Sequence, residues 1–354
     1  MIFLIFLVIT ILWLLLPLIP SIRELMKPTD IDPLRVVPRD SSAVSFFANN
    51  FRNYILKQVE KYDFSSLRDY EPARLPDGTP FVRVQGSGKL PLKDTASADT
   101  VDHVVIAGGG SILPDDTTFL REVYGVASLM GGGNCVYRAI LAEGELTLQP
   151  GSIVLRWGHS VGVFNVHENS ILHGRASSDK VLHLMPGVTF EWIAAPVISV
   201  GSAEEHIDTT KEKVQRVPFE LDDMIKMTDD TYRYNGDILL PDRSLVTGNL
   251  VVKGRLMIGP ETCIRGNLKS HGAITLGNGC IVEGSIVTSS LLTIGKNCIL
   301  WGPIISEKQI TVGNGSAVGT QDKPATVSAP LVNLHSGVVV TGMVVAQSAG
   351  KTIT

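Results

Sequence analysis

Between residues 238 and 346 apolar residues alternate with polar ones in short runs, and the runs return at a constant step. Leu256, Ile274, Leu292 and Ile310 form one row; Ile258, Leu276, Ile294 and Val312 form a second. Leu250, Leu268, Ile286 and Ile304 make a third, and Val246, Ile264, Val282 and Leu300 a fourth. Counted from Ile258 as position 1, the rows fall at positions 1, 7, 11 and 17, and charges such as Arg265, Lys269 and Glu283 fall at even ones. That parity is the signature of strands with one buried face. A helix would need spacings of three and four, and the glycines would oppose it. A fixed repeat of this length predicts an all-β solenoid of about 18 residues per coil, each coil burying its apolar face against its neighbours.

Glycines keep the same step at Gly248, Gly266, Gly284 and Gly302, where they are expected to free the backbone at corners. The next glycine in frame is Gly342, two coils and a small insertion further on, which places the insertion near residues 321–326. Position 5 carries the small residues Ser244, Thr262, Cys280 and Cys298, as a tight corner requires.

The frame extends upstream with weaker glycine marking. Leu148, Val166 and Leu184 are in step, as are Leu146, Phe164, Leu182 and Val200, and Val136, Val154, Leu172 and Phe190. Two solenoid blocks are therefore expected, over residues 100–202 and 238–346, joined by a charged linker at 203–237 and followed by a tail at 347–354.

The N-terminal part differs. Ile2 to Ile19 carries no charge and is almost wholly apolar, long enough for a single transmembrane helix over residues 1–20. It lacks the basic start and small-residue cleavage site of a secretory leader, so it reads as a retained anchor. Arg23, Lys27, Arg35 and Arg39 follow the span, which puts the bulk of the chain on the cytoplasmic side. Residues 21–99 read as a membrane-proximal connector with an amphipathic helix from Ser42 to about Lys61, striped by Val44, Phe47, Phe51, Ile55 and Val59. That helix could lie on the membrane surface, or pack on the first solenoid and cap its end. A strand is expected at Phe81–Val84.

Composition narrows the function classes. The formal net charge of −4 and the lack of a basic stripe give nothing to hold nucleic acid. The cysteines at 135, 263, 280 and 298 have neither metal-knot nor disulfide-framework spacing, so no metal or cofactor is implied and all four read as buried small side chains.

The coil Leu276–Thr293, with its run Leu-Gly-Asn-Gly-Cys-Ile-Val-Glu-Gly-Ser-Ile, and its neighbours resemble the bactofilins, polymer-forming cytoskeletal proteins of bacteria; the likeness covers residues 236–346. The resemblance implies a right-handed β-helix that polymerises end to end without nucleotide, lies at the inner membrane and localises envelope-building enzymes. A second solenoid block and a full membrane span set this chain apart from that pattern.

The candidate functional residues are surface features. Val338, Val339, Val340, Val344 and Val345 form an apolar last coil, a candidate edge for end-to-end self-association. Trp157, Trp192 and Trp301 sit at coil positions 10, 9 and 8, roughly one edge that could receive a partner. No catalytic residue is assigned. His159, His167, His173 and His183 fall at outward positions on different faces. The row gaps of 6, 4, 6 and 2 break the six-residue rule of left-handed acyltransferase solenoids. The expected function is a membrane-anchored scaffold, self-associating or recruiting envelope and surface-polymer assembly proteins. The alternative is a periplasm-facing solenoid that binds or modifies polysaccharide; an acyltransferase fits less well.

Overall fold

A computed structural model describes residues 6, 7, 10, 44–60, 68–86, 99–201, 214–220 and 224–354. The chain divides into Met1–Ser42 and Ala43–Thr354. The span expected over residues 1–20 lies outside the described residues apart from Phe6, Leu7 and Thr10, as do residues 21–43, 61–67 and 87–98 of the connector and 202–213 and 221–223 of the linker. Among the described residues no helix is long and apolar enough to cross a membrane.

The second unit is a β-solenoid of about 13 turns. Each coil lays a short strand on each of three faces, I, II and III. In the second block the four apolar rows stack as the sequence predicts: Leu250↔Leu268↔Ile286↔Ile304 on face I, Leu256↔Ile274↔Leu292↔Ile310 and Ile258↔Leu276↔Ile294↔Val312 on face II, and Val246↔Ile264↔Val282↔Leu300 on face III. All sixteen side chains are buried. The step lengthens at Ile310↔Val332 and Val318↔Val340, the surplus forming the loop before Ala325.

The corner glycine row has two causes, of which the sequence suggests only the first. Of the corner row only Gly248 and Gly342 have positive φ, at 123° and 125°. At Gly266, Gly284 and Gly302 the constraint is contact: an added Cβ would lie 2.2, 2.4 and 2.6 Å from the carbonyl oxygen of the glycine one coil earlier. The coils touch backbone to backbone there, and no side chain fits between them.

The small row also has a specific task. The Thr262 hydroxyl donates to the Pro241 carbonyl at 3.0 Å, the Cys280 thiol to Gly259 at 3.3 Å, the Cys298 thiol to Gly277 at 3.2 Å and the Ser316 hydroxyl to Gly295 at 3.0 Å. A second hydroxyl ladder runs between faces I and II, where Ser160, Ser178, Ser270 and Thr288 donate to Gly144, Gly162, Gly254 and Gly272. These donors add a side-chain bond at each corner carbonyl, and those of Gly144 and Gly254 also accept a backbone N–H, from Gly162 and Gly272.

The first block keeps the architecture but slips in register. Tyr137, rather than Val136, stands in the inward row beside Val154, because that step is one residue short. Val200 pairs with Leu184, and Leu182 with Ile198. The block also starts earlier than residue 100: Pro80–Val84, the strand expected near Phe81, is the first face I strand and pairs with Val104–Ala107. Likewise Thr231–Tyr234, assigned to the linker, is the first face I strand of the second block.

The two blocks are joined end to end by their last coils. Thr189–Val200 runs antiparallel to Val339–Ile353, with Thr189↔Lys351, Ile193↔Val344 and Ile198↔Val340 in register. The C-terminal coil of one block thus lies on the C-terminal coil of the other. This corrects two expectations. Residues 347–353 are strand, not tail. Val338, Val340, Val344 and Val345 are buried in the junction, with Val339 paired to Ser199, so the edge assigned to self-association already has a partner in its own chain. The outer ends carry antiparallel hairpins on face I, Pro72–Arg74 against Pro80–Val82 and Ile225–Lys226 against Tyr232–Arg233.

Candidate functional site

The sequence alone does not show what covers face I of the first block. Its outward side chains Phe81, Val104, Ile106, Tyr124, Ala139, Leu141 and Trp157 would make an apolar wall, but all are buried. Helix α1 (Phe46–Val59) lies across them. Ala48 and Ile55 insert fully, and Phe51 packs on Trp157 and Tyr124 with ring centroids 5.5 and 6.5 Å apart. The helix thus packs on the solenoid, but along its side rather than over its end. The buried stripe is also rotated from the expected one, with Ala48 inside and Phe47 exposed. A small residue lets the helix axis approach the sheet, which Phe47 at that position would prevent.

A polar network pins the helix. Arg52 holds the Glu143 carboxylate through Nε at 2.7 and 2.9 Å and through a further contact from Nη2, while the Tyr124 hydroxyl donates to the same carboxylate at 2.9 Å. Despite burial, those donors keep the Glu143 pKa below the ordinary carboxylate range, and burial pushes the Tyr124 hydroxyl well up. One coil on, His159 is fully buried. Its Nδ1 lies 2.8 Å from the Ser177 hydroxyl, and its Nε2, without a hydrogen-bond partner, faces Asp179 at 3.8 Å. Burial lowers its pKa, so the neutral imidazole is the resting form.

Beside this network, where the blocks join, face I opens into a cavity of about 570 Å³. Val44, Ala194, Pro196, Pro324 and Met343 give it apolar walls, and Ser177 and Asp179 add a polar side. A smaller cleft of about 360 Å³ lies at the other edge of face I, between Phe47, Leu155, Trp157, Arg156 and Arg175.

The sequence-predicted candidates distribute as follows. The four histidines stand apart: His159 is on face I, His173 on face III beside Glu191, His183 on face II beside Ser199, and His167 at a corner next to Glu168. His159 departs from expectation in being buried instead of a surface side chain. Trp157 and Trp192 share one edge of face I through their common partner Arg175, and Trp157 is covered by the chain's own helix. Trp301 does not join them. Trp192 pairs across the junction with Val345, whereas the row of Trp301 runs into Thr341, beside the Gly342 that pairs with Ala195, so it lies on the opposite edge. The antiparallel junction reverses the corners of one block relative to the other, and a count along one repeat cannot show that.

No family model matches the chain, and neither curated proteins nor solved structures provide a match.

Proposed function

We propose that the chain is a membrane-anchored structural scaffold of bactofilin-like coil design, a finite rod that recruits envelope or surface-polymer assembly proteins to the bacterial inner membrane, with its solenoid on the cytoplasmic side. The carrying observation is the unbroken stack: about 13 turns, at roughly 4.8 Å each, make a stiff rod about 60 Å long. The apolar run at residues 2–19 supports attachment, and the cations after it support the orientation. End-to-end polymerisation through the terminal valines is not part of the proposal, because those strands are already paired within the chain. Partners then bind along the sides of the rod.

The test is to isolate membranes with and without the protein, extract with carbonate, and identify co-isolated proteins. Retention in the carbonate-washed membrane together with envelope-assembly enzymes is the expected result; release into the wash, or an unchanged protein set, would overturn the reading. Electron microscopy of the full-length protein in detergent should show single short rods, and long filaments would reject the finite form.

One observation favours the polysaccharide-binding alternative on the periplasmic side: the junction cavity sets Asp179 and Ser177 against apolar walls, a combination that suits a sugar. Alkaline phosphatase fused at the C-terminus distinguishes the compartments, since activity requires export.

A further inference from the structure

One outward row of face I runs from beneath helix α1 into the junction cavity. Its members pair coil to coil as Leu141↔His159↔Ser177↔Ala194↔Met343. His159 is fully buried, and the next three, Ser177, Ala194 and Met343, line the cavity. Packing alone calls for no histidine here, since Leu141 fills the same place one coil earlier and Ala194 two coils later. Burying an imidazole with one nitrogen unpaired is costly. Both groups that it addresses stand in the cavity wall: Ser177 Oγ lies 2.8 Å from Nδ1, and Asp179 Oδ1 lies 3.8 Å from the unpaired Nε2. A carboxylate beside Nε2 favours the proton on that nitrogen, which leaves Nδ1 to accept from the Ser177 hydroxyl. A hydroxyl, an imidazole able to take its proton and a carboxylate to steady the resulting cation therefore stand in sequence, the arrangement that activates a serine. Burial keeps the imidazole neutral, the form a base requires.

The rest of the cavity suits an acyl group. Its volume of about 570 Å³ is that of a small-molecule site, and Val44, Pro196, Pro324 and Met343 give a short hydrocarbon chain apolar walls. Helix α1 begins at this cavity, with Val44 and Ser45 in its lining. The first N–H groups of a helix have no intrahelical partner, and here the N-cap Ser45 makes no side-chain bond to them and no acidic residue stands in the first turn. They are donors at hand for an oxyanion. We propose that the junction cavity hydrolyses short-chain acyl esters, with Ser177 as nucleophile, His159 as general base and Asp179 as the residue that positions the imidazole. Ser177 Oγ attacks the ester carbonyl carbon while Nδ1 of His159 takes its proton. The carbonyl–alkoxy bond then breaks, and the alcohol leaves with that proton. Water attacks the acyl-serine, His159 accepts a proton from it and returns it to Oγ, and the carboxylic acid departs. This activity lies beyond the scaffold reading and does not rest on it.

The experiment treats full-length protein in an alkyl maltoside with a fluorophosphonate probe, maps the modified peptide by mass spectrometry, and in parallel follows hydrolysis of p-nitrophenyl acetate and butyrate. The expected result is labelling at Ser177 and steady turnover of both esters. Ser177→Ala, with unchanged circular dichroism, should lower turnover by about 10³-fold or more, and His159→Gln by roughly 10²–10⁴-fold. The imidazole is faced by Asp179 from the adjoining corner, by Glu143 from the preceding coil and by Arg52 from helix α1; the two carboxylates raise its pKa and the guanidinium lowers it. The acid limb of kcat/KM should therefore move to lower pH in Asp179→Asn, which a purely structural carboxylate would not cause. Labelling of a different serine, no labelling and no turnover by the wild type, or turnover that survives in Ser177→Ala would each overturn the proposal, and none of these results bears on the scaffold reading.

Discussion

Replacing Gly284 by alanine tests the contact geometry of the solenoid with a single methyl group. The new Cβ would lie 2.4 Å from the Gly266 carbonyl oxygen, 2.6 Å from its carbon and 2.7 Å from Asn267 Oδ1. A relaxed carbon contact needs about 3.5 Å, so the coils must part locally by about 1 Å. The flanking ladder bonds, Glu283 N–H to Ile264 at 3.0 Å and Leu268 N–H to Ser285 at 2.8 Å, would then exceed hydrogen-bonding distance. Overpacking costs about 1–3 kcal/mol, and one or two lost bonds add about 1 kcal/mol each. The reduced freedom of the unfolded chain returns about 0.4–1 kcal/mol. A net loss of about 2–4 kcal/mol at roughly 2 °C per kcal/mol for a chain of this size lowers the thermal midpoint by about 4–8 °C. Gly236→Ala is the control: its φ is not left-handed, and the nearest atom to an added Cβ is Tyr234 Cε1 at 3.5 Å. Differential scanning fluorimetry of both variants decides. If Gly284→Ala melts with the wild type, the backbone contact imposes nothing and the stacking argument fails.

Three further outcomes are expected. Arg52→Ala leaves Glu143 partly buried without its strongest donor; discounted for the exposure of the pair, the loss is about 1–2 kcal/mol, and limited proteolysis should cut within residues 46–59 at low protease, whereas unchanged protection would refute the helix latch. His159 has its folded-state pKa below the ordinary 6.5 through burial, against the pull of Asp179 and Glu143 and with Arg52 adding to the shift; the unfolded chain therefore binds the proton first, so stability holds above pH 6.5 and falls as pH drops below it, and the pH profile of the thermal midpoint should flatten in His159→Gln. Thr352→Val removes a hydroxyl that accepts from the Val188 N–H at 2.9 Å and donates to the Met185 carbonyl at 2.7 Å inside the junction; a loss of about 1–3 kcal/mol is expected by urea denaturation, and a neutral result would mean that the last strand is not required for the junction.

Much of the second block is legible because strand alternation and the repeat step coincide there, so Leu250, Leu256, Ile258 and their equivalents point inward on both criteria. In the first block the same reading drifts by a residue at Tyr137 and by two at Val200, where a corner shortens and no glycine marks it. The helix is visible as an apolar stripe, but the choice between Phe47 and Ala48 at its buried face depends on how near the sheet lies, which only the folded outer wall of face I determines. The junction leaves no periodic trace, because Ile193 and Val344 meet from distant parts of the chain in an antiparallel sense that no repeat encodes. The polar network is equally hidden: Arg52 and Glu143 are separated by 91 residues and look like ordinary surface charges. His159 reads as a surface residue until the helix is placed over it.

The tail-to-tail joint also sets an order of events during synthesis. When Val200 leaves the ribosome, the first block still lacks the strand that pairs with Thr189–Val200, because that partner begins at Val339. At about 5–20 residues per second the gap lasts roughly 10–30 s, during which Phe190, Ile193 and Ile198 have nothing stacked on them. The nascent protein therefore carries a sticky, unpaired sheet end until Val339–Ile353 has been made, and a product cut short before that strand keeps the end open. Truncated products should be the ones that chaperones retain and proteases clear.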